Sequence, residues 1–274
     1  MGDLLLPFQL PFMQIAFAIA LATAVPMAML SCFLVLRGWA LMGDAISHAV
    51  LPGIVLAYLA GLPISLGAFV AGFVCAAGTG WLKDNSRVKE DTAMGVVFAG
   101  LFGFGLVLYA SIPTTLHLSH LLFGDMLGAV WSEVAWTAGA GVFIIAALLA
   151  FRADLMAQIF DPGHARAIGL PVRLLHYGLL ALVALAVVAA LQAVGLILSV
   201  ALLITPGATA FLWARRFGPM LWISAAIGAG GAILGVYASF WLDSAPAPTI
   251  VLVYSLAFAL SFLRQALRDR AARA

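Results

Sequence analysis

Asp44 and His48 stand four residues apart in the stretch Arg37-Gly-Trp-Ala-Leu-Met-Gly-Asp-Ala-Ile-Ser-His-Ala-Val-Leu-Pro-Gly. On a helix this spacing stacks both side chains on one face, with Cβ atoms about 5–6 Å apart. A carboxylate oxygen and an imidazole nitrogen so placed can share one divalent cation. Ser47 lies on an adjoining part of that surface. Pro52 follows His48 by four residues and has no N–H, so the His48 carbonyl loses its helical partner. A carboxylate, an imidazole and a freed carbonyl form a mixed N/O donor set, suited to Mn²⁺, Zn²⁺ or Fe²⁺ rather than to alkali ions. Two other uses of the pair stay open: a hydrogen bond that locks two helices, and a proton relay.

The surroundings make the pair unusual. Of the 274 residues, 65% are hydrophobic and 9% charged, against about 25% charged in an ordinary soluble domain. The mean hydropathy is +1.16. One water-soluble core could not hide that much apolar surface. The composition excludes a soluble enzyme, a disordered chain and a disulfide scaffold. The two cysteines, Cys32 and Cys75, sit in apolar runs and read as small buried hydrophobes. The apolar runs are continuous, without the alternation of a membrane barrel, so the expected fold is an all-α, polytopic transmembrane bundle.

Nine spans are read, at 12–36, 39–60, 64–82, 92–110, 134–151, 174–190, 194–213, 218–241 and 249–264, forming one domain over 1–274. Asp44 and His48 fall inside the second, where a charge near the bilayer centre costs about 2.5–3.5 kcal/mol or more. Counted from Arg37 as the interface, His48 is eleven residues in, or about 16 Å at helical rise, close to mid-membrane.

All 13 Lys and Arg fall after spans one, three, five, seven and nine. The positive-inside rule puts those loops in the cytoplasm, the N-terminus outside and the C-terminus inside. Eight spans remain open if the first segment does not fully cross. The outer side carries Asp3, Asp125, Glu133 and Asp243 without a basic residue, which favours cations. Residues 1–11 lack a basic n-region, so no cleavable signal peptide is expected.

There is no G-x-x-x-x-G-K-[ST] sequence, so the chain has no P-loop of its own. The cytoplasmic stretch 152–173 reads instead as a short helix, with Asp161 at the N-cap, Pro162 at N1 and Gly169 at C′. Such a helix can dock into another protein or be an ordinary capped loop. Pro206 frees the Leu202 carbonyl, with Thr205 and Thr209 nearby, and marks either a pathway-lining break or a simple kink. Glu90 and Asp91 complement a helix N-terminus. His117 and His120 form a weak metal signal or a partner contact. The Gly231…Gly235 spacing permits close helix packing.

Five segments together resemble a known family. Leu36-Arg-Gly-Trp-Ala-Leu-Met-Gly-Asp-Ala-Ile-Ser-His-Ala-Val-Leu-Pro-Gly is similar to the signature of the manganese/zinc/iron permeases of bacterial ABC importers. Ser86-Arg-Val-Lys-Glu-Asp-Thr-Ala-Met-Gly, Leu121-Leu-Phe-Gly-Asp, Phe160-Asp-Pro-Gly-His-Ala-Arg-Ala-Ile-Gly-Leu and Leu203-Ile-Thr-Pro-Gly-Ala-Thr-Ala follow in the family's order, across roughly residues 13–263. The resemblance implies the all-helical fold of type II importers and a permease paired with itself or a close paralogue. It implies cytoplasmic ATPase subunits and an extracytoplasmic metal-binding protein, in the bacterial inner membrane.

Carried over, Asp44 and His48 match the metal-pathway positions, with Ser47, Thr205 and Thr209 as further lining. Residues 161–170 match the coupling helix, which places Asp161, Pro162, Ala165, Ile168 and Gly169 against the ATPase. His117 and His120 depart from the family pattern. The Phe-Asp-Pro form is more like the manganese/iron branch. The expectation is an ATP-driven importer of Mn²⁺, with Fe²⁺ or Zn²⁺ as further candidates, no permanently bound cofactor and no nucleic-acid partner. The alternative is a proton-coupled secondary metal carrier or channel acting without an ATPase.

Overall fold

The computed structural model describes residues 6–112, 124 and 126–271. His117, His120 and Asp125 lie outside the described residues, as does Asp3. A short α1 (Leu6–Gln9) leads into α2 (Pro11–Arg37), then α3 (Met42–Ala49), α4 (Leu51–Ala60), α5 (Ile64–Asn85) and α6 (Glu90–Ser111). These are followed by α7 (Trp131–Ala150), α8 (Arg152–Phe160), α9 (Pro162–Ala167), α10 (Val172–Val194), α11 (Leu196–Trp213), α12 (Phe217–Trp241) and α13 (Pro246–Ala271). Among the described residues, nine helical stretches are long and apolar enough to cross a membrane, with α3 and α4 together forming the second. The first is 27 residues long, about 40 Å at helical rise, which is ample to span.

Each boundary has a local cause. Pro11 opens α2, and Gly38 closes it in the left-handed region at φ 79°, where a Cβ would be strained. Residues 38–41 turn the chain before α3 begins at Met42. Pro52 withholds an N–H, so the helix stops at Ala49 and restarts at Leu51. The chain does not break at Pro206: α11 runs through it, and the Thr209 hydroxyl donates to the Thr205 carbonyl at 2.7 Å. Of the two readings, the break is therefore corrected: Pro206 lies inside one helical stretch, Leu196–Trp213. Pro206 and Gly207 are both buried, so the lost hydrogen bond falls within the packed bundle.

The core centres on α2, which is buried along most of its length against α7, α11 and α12. Small residues set the spacing. A Cβ on Gly231 would run into the Tyr254 ring, and one on Gly235 would stand 2.6 Å from the Ile250 Cα, so both glycines admit α13. Trp81, Trp131, Trp213 and Trp241 sit exposed near span ends, the place an interfacial aromatic belt occupies.

Candidate functional site

Asp44 lies in the first turn of α3 and His48 in its last. The His48 Nδ1 stands 3.5 Å from the Asp44 carboxylate Oδ1 and 3.0 Å from the Asp44 main-chain oxygen. The His48 ring meets Phe98 and Phe102 of α6 edge to face, at centroid distances of 6.0 and 5.5 Å. The two side chains keep 28% and 43% of their surface exposed, for His48 and Asp44 respectively. The α3 helix thus presents an acid and an imidazole side by side on one open face, with aromatic rings behind the imidazole.

The helix that bears the pair begins later than the span read from the sequence, 39–60. The turn over 38–41 consumes residues without climbing a helix. Measured from Met42, Asp44 is two residues in and His48 six, or about 3 and 9 Å along the axis. The pair sits in the first half of the helical stretch Met42–Ala60.

Ser47 does not share the face. It is buried, and its hydroxyl donates to the Asp44 carbonyl at 2.8 Å. Thr209 is buried too, with its hydroxyl turned to its own helix, and Thr205 is half-buried. α11 reaches α3 through Leu203, which packs against Gly43, one residue before Asp44. Among the described residues, no group of three or more His, Cys, Asp or Glu is placed to hold a metal ion.

The loop between α7 and α10 folds as two helices where one was expected. α8 turns off α7 at Phe151, and α9 follows. The Asp161 side chain accepts from the His164 N–H at 2.8 Å, and Pro162 opens the helix. Gly169 takes φ 84°, and the Leu170 N–H returns to the Ala165 carbonyl at 3.0 Å. These are the caps read from the sequence. Ala165 is buried while Ile168 is exposed, so α9 rests one side on the bundle and offers the other outward.

One cluster went unread. Trp39, in the turn before α3, is almost wholly buried and donates from Nε1 to Glu90 Oε1. Lys83 pairs with the other Glu90 oxygen. The Arg37 guanidinium lies 5.1 Å from the Trp39 ring centroid and donates to the Gln158 main-chain oxygen at 3.4 Å. The His176 ring meets Trp39 edge to face at 5.4 Å. Arg37 and Lys83 carried only the charge signal of their loops, and Glu90 pointed to a helix N-terminus rather than to Trp39. The cluster gathers the ends of α2 and α5, the start of α6 and α10, and α8 at one end of the bundle, as the odd-numbered loops require if they share a side.

Among the described residues the chain is an all-helical bundle with nine candidate spans and a capped short helix between the fifth and sixth, the architecture of a multi-pass membrane protein. Residues 9–265 match the ABC 3 transport family, and the chain belongs to that family. Its members are membrane permeases whose ATPase is supplied by a partner subunit. The chain is 54% identical over 257 residues to the chelated iron transport system membrane protein YfeD of Yersinia pestis, covering 94% of this chain and 86% of that protein. It is 41% identical over 257 residues to the manganese transport system membrane protein MntB of Synechocystis, covering 94% and 84%. The solved structure of PsaBC from Streptococcus pneumoniae in complex with Fab is similar at TM-score 0.83 and 37% identity, covering 93% of this chain and 92% of that one.

Proposed function

We propose that this chain passes Mn²⁺ across the membrane at Asp44 and His48, with Fe²⁺ and Zn²⁺ as further candidate cargoes. It works with a second copy of itself or a close paralogue, cytoplasmic ATPase subunits and an extracytoplasmic metal-binding protein. The observation that carries this reading is the carboxylate and imidazole side by side on the open face of α3. Two ligands hold a divalent ion poorly, and an ion in transit needs a site that also releases it. A second permease chain presenting the same pair would supply four N/O donors, a set in keeping with Mn²⁺ or Fe²⁺. Relatives described as manganese and iron transport proteins support the same choice.

The 13 basic residues support an orientation with the N-terminus outside and α8 and α9 in the cytoplasm. There α9, with Asp161, Pro162, Ala165, Ile168 and Gly169, meets the ATPase. The test uses cells stripped of their own manganese and iron uptake and supplied with this chain and its partner subunits. Cell metal content should rise for Mn²⁺ first, and the rise should vanish when the ATPase is disabled. Uptake that persists without the ATPase, or no metal accumulation at all, would overturn the reading.

A further inference from the structure

The polar cluster at the foot of the bundle joins two parts of the molecule that a transport cycle must connect. On one side is α8, whose Gln158 stands three residues before Asp161 and the start of α9. On the other is the turn at 38–41, whose Trp39 stands three residues before the helix that bears Asp44 and His48. Arg37 bridges them, with its guanidinium against the Trp39 ring and donating to the Gln158 main chain. Trp39 is held in turn by Glu90, which begins α6, the helix whose Phe98 and Phe102 back the His48 ring. One buried tryptophan therefore touches the supports of both walls around the pair.

The cluster is also incompletely paired. Gln158 is 2% exposed and His176 8% exposed, and neither Gln158 Oε1 nor His176 Nε2 has a hydrogen-bond partner in this conformation. Buried acceptors left alone are costly, and partly satisfied networks favour rearrangement. Arg37 reaches the Gln158 main-chain oxygen only at 3.4 Å, a long contact. A shift of α8 that brings Oε1 to the guanidinium would pair the orphan and draw Arg37 off the Trp39 ring. Gly80 admits the His176 ring to the cluster: a Cβ there would stand 2.9 Å from His176 Nε2.

We infer that Trp39 and Gln158 are positioning residues of the transport step, relaying displacement of α9 through Arg37 to the helix that carries Asp44 and His48. The inference rests on the permease reading above. Neither residue touches the metal; each acts through the placement of α3.

The test uses the intact assembly of permease pair, ATPase subunits and metal-binding protein in liposomes, with Mn²⁺ as the probe. ATP hydrolysed and metal taken up are read from the same vesicles. Trp39→Phe keeps an aromatic ring, though a smaller one, and loses the Nε1–H. Gln158→Leu keeps the buried volume and loses Oε1. In each, metal moved per ATP should fall roughly tenfold, within the span of ordinary coupling free energies, while assembly yield and hydrolysis hold. Glu90→Gln, which keeps an acceptor for Trp39, should retain most of the ratio.

An unchanged ratio in both variants overturns the inference. So does a loss of uptake matched by an equal loss of assembly, which would mark the cluster as merely structural. If Trp39→Phe fails to assemble, Gln158→Leu decides alone. If the unmodified assembly moves no metal with ATP, the permease reading is what has failed.

Discussion

The His48 imidazole is tethered to the residue it is paired with: its Nδ1 lies 3.0 Å from the Asp44 main-chain oxygen and 3.5 Å from the Asp44 carboxylate. A proton on Nδ1 donated to that carbonyl leaves the lone pair on Nε2, the form in which imidazole binds metal. Phe98 and Phe102 hold the ring from the other side. The imidazole is thus oriented by its surroundings, whereas the Asp44 carboxylate keeps 43% of its side-chain surface exposed. Under the proposed function, a held nitrogen beside an exposed oxygen suits an ion that must be caught and then let go.

Asp44→Asn keeps the shape of the side chain and removes its charge. Metal uptake should fall by roughly tenfold or more, the equivalent of about 1.4 kcal/mol of lost ion binding. Stability should change little, because Asp44 is half exposed and its effect on the α3 N-terminus amounts to about 0.3–1 kcal/mol. Uptake and detergent melting measured on the same preparation check both halves. His48→Gln should behave alike, and normal transport by either variant would remove the pair from the pathway.

Phe102→Ala withdraws the nearer ring from His48. The lost edge-to-face contact amounts to about 0.5–1.5 kcal/mol, and the imidazole gains freedom. Uptake should drop a few-fold with the apparent affinity for Mn²⁺ weakened, and Phe102→Tyr should retain more of it. Initial uptake rates over a range of Mn²⁺ concentrations make the distinction.

The spans, the capped α9 and the Asp44–His48 pair were legible because each rests on local rules. Apolar run length sets a span, Asp161 and Gly169 fix the ends of a short helix, and an i, i+4 spacing sets a shared face. The late start of α3 was not legible, because nothing local says that 38–41 would be spent on a turn. Nor was the continuity of α11, since Pro206 is a helix breaker by local chemistry and the packing around it is tertiary. Trp39, Gln158 and His176 lie far apart in sequence, on elements whose adjacency no periodicity reveals.

Gly53 and Gly67 face each other where α4 crosses α5. A Cβ added to Gly53 would collide with the Gly67 main chain, and one on Gly67 with the Gly53 main chain. Backbone cannot step aside as a side chain can. Gly53→Ala should therefore cost about 1–3 kcal/mol or more, and it should tilt the helix that continues α3. Gly178→Ala, in α10, meets nothing within 4 Å and should stabilise by about 0.4–1 kcal/mol. Melting of the two variants in detergent should shift in opposite directions.

α9 depends on two atoms at its ends. Asp161 supplies one oxygen to the His164 N–H, and Gly169 supplies a backbone at φ 84° that lets Leu170 return to Ala165. Asp161→Ala should cost about 0.5–2 kcal/mol of local helix stability, and Gly169→Val a further 1–2 kcal/mol or so through the left-handed conformation. The spans lie outside this segment, so global melting should hardly move. What should change is the docking surface. Ile168 is exposed and Ala165 buried only while the helix is wound, and a frayed α9 presents neither in register. Both variants should co-purify with less ATPase, the double variant least of all, and should lose uptake in proportion. Undiminished co-purification of the double variant would show that the ATPase grips this chain elsewhere.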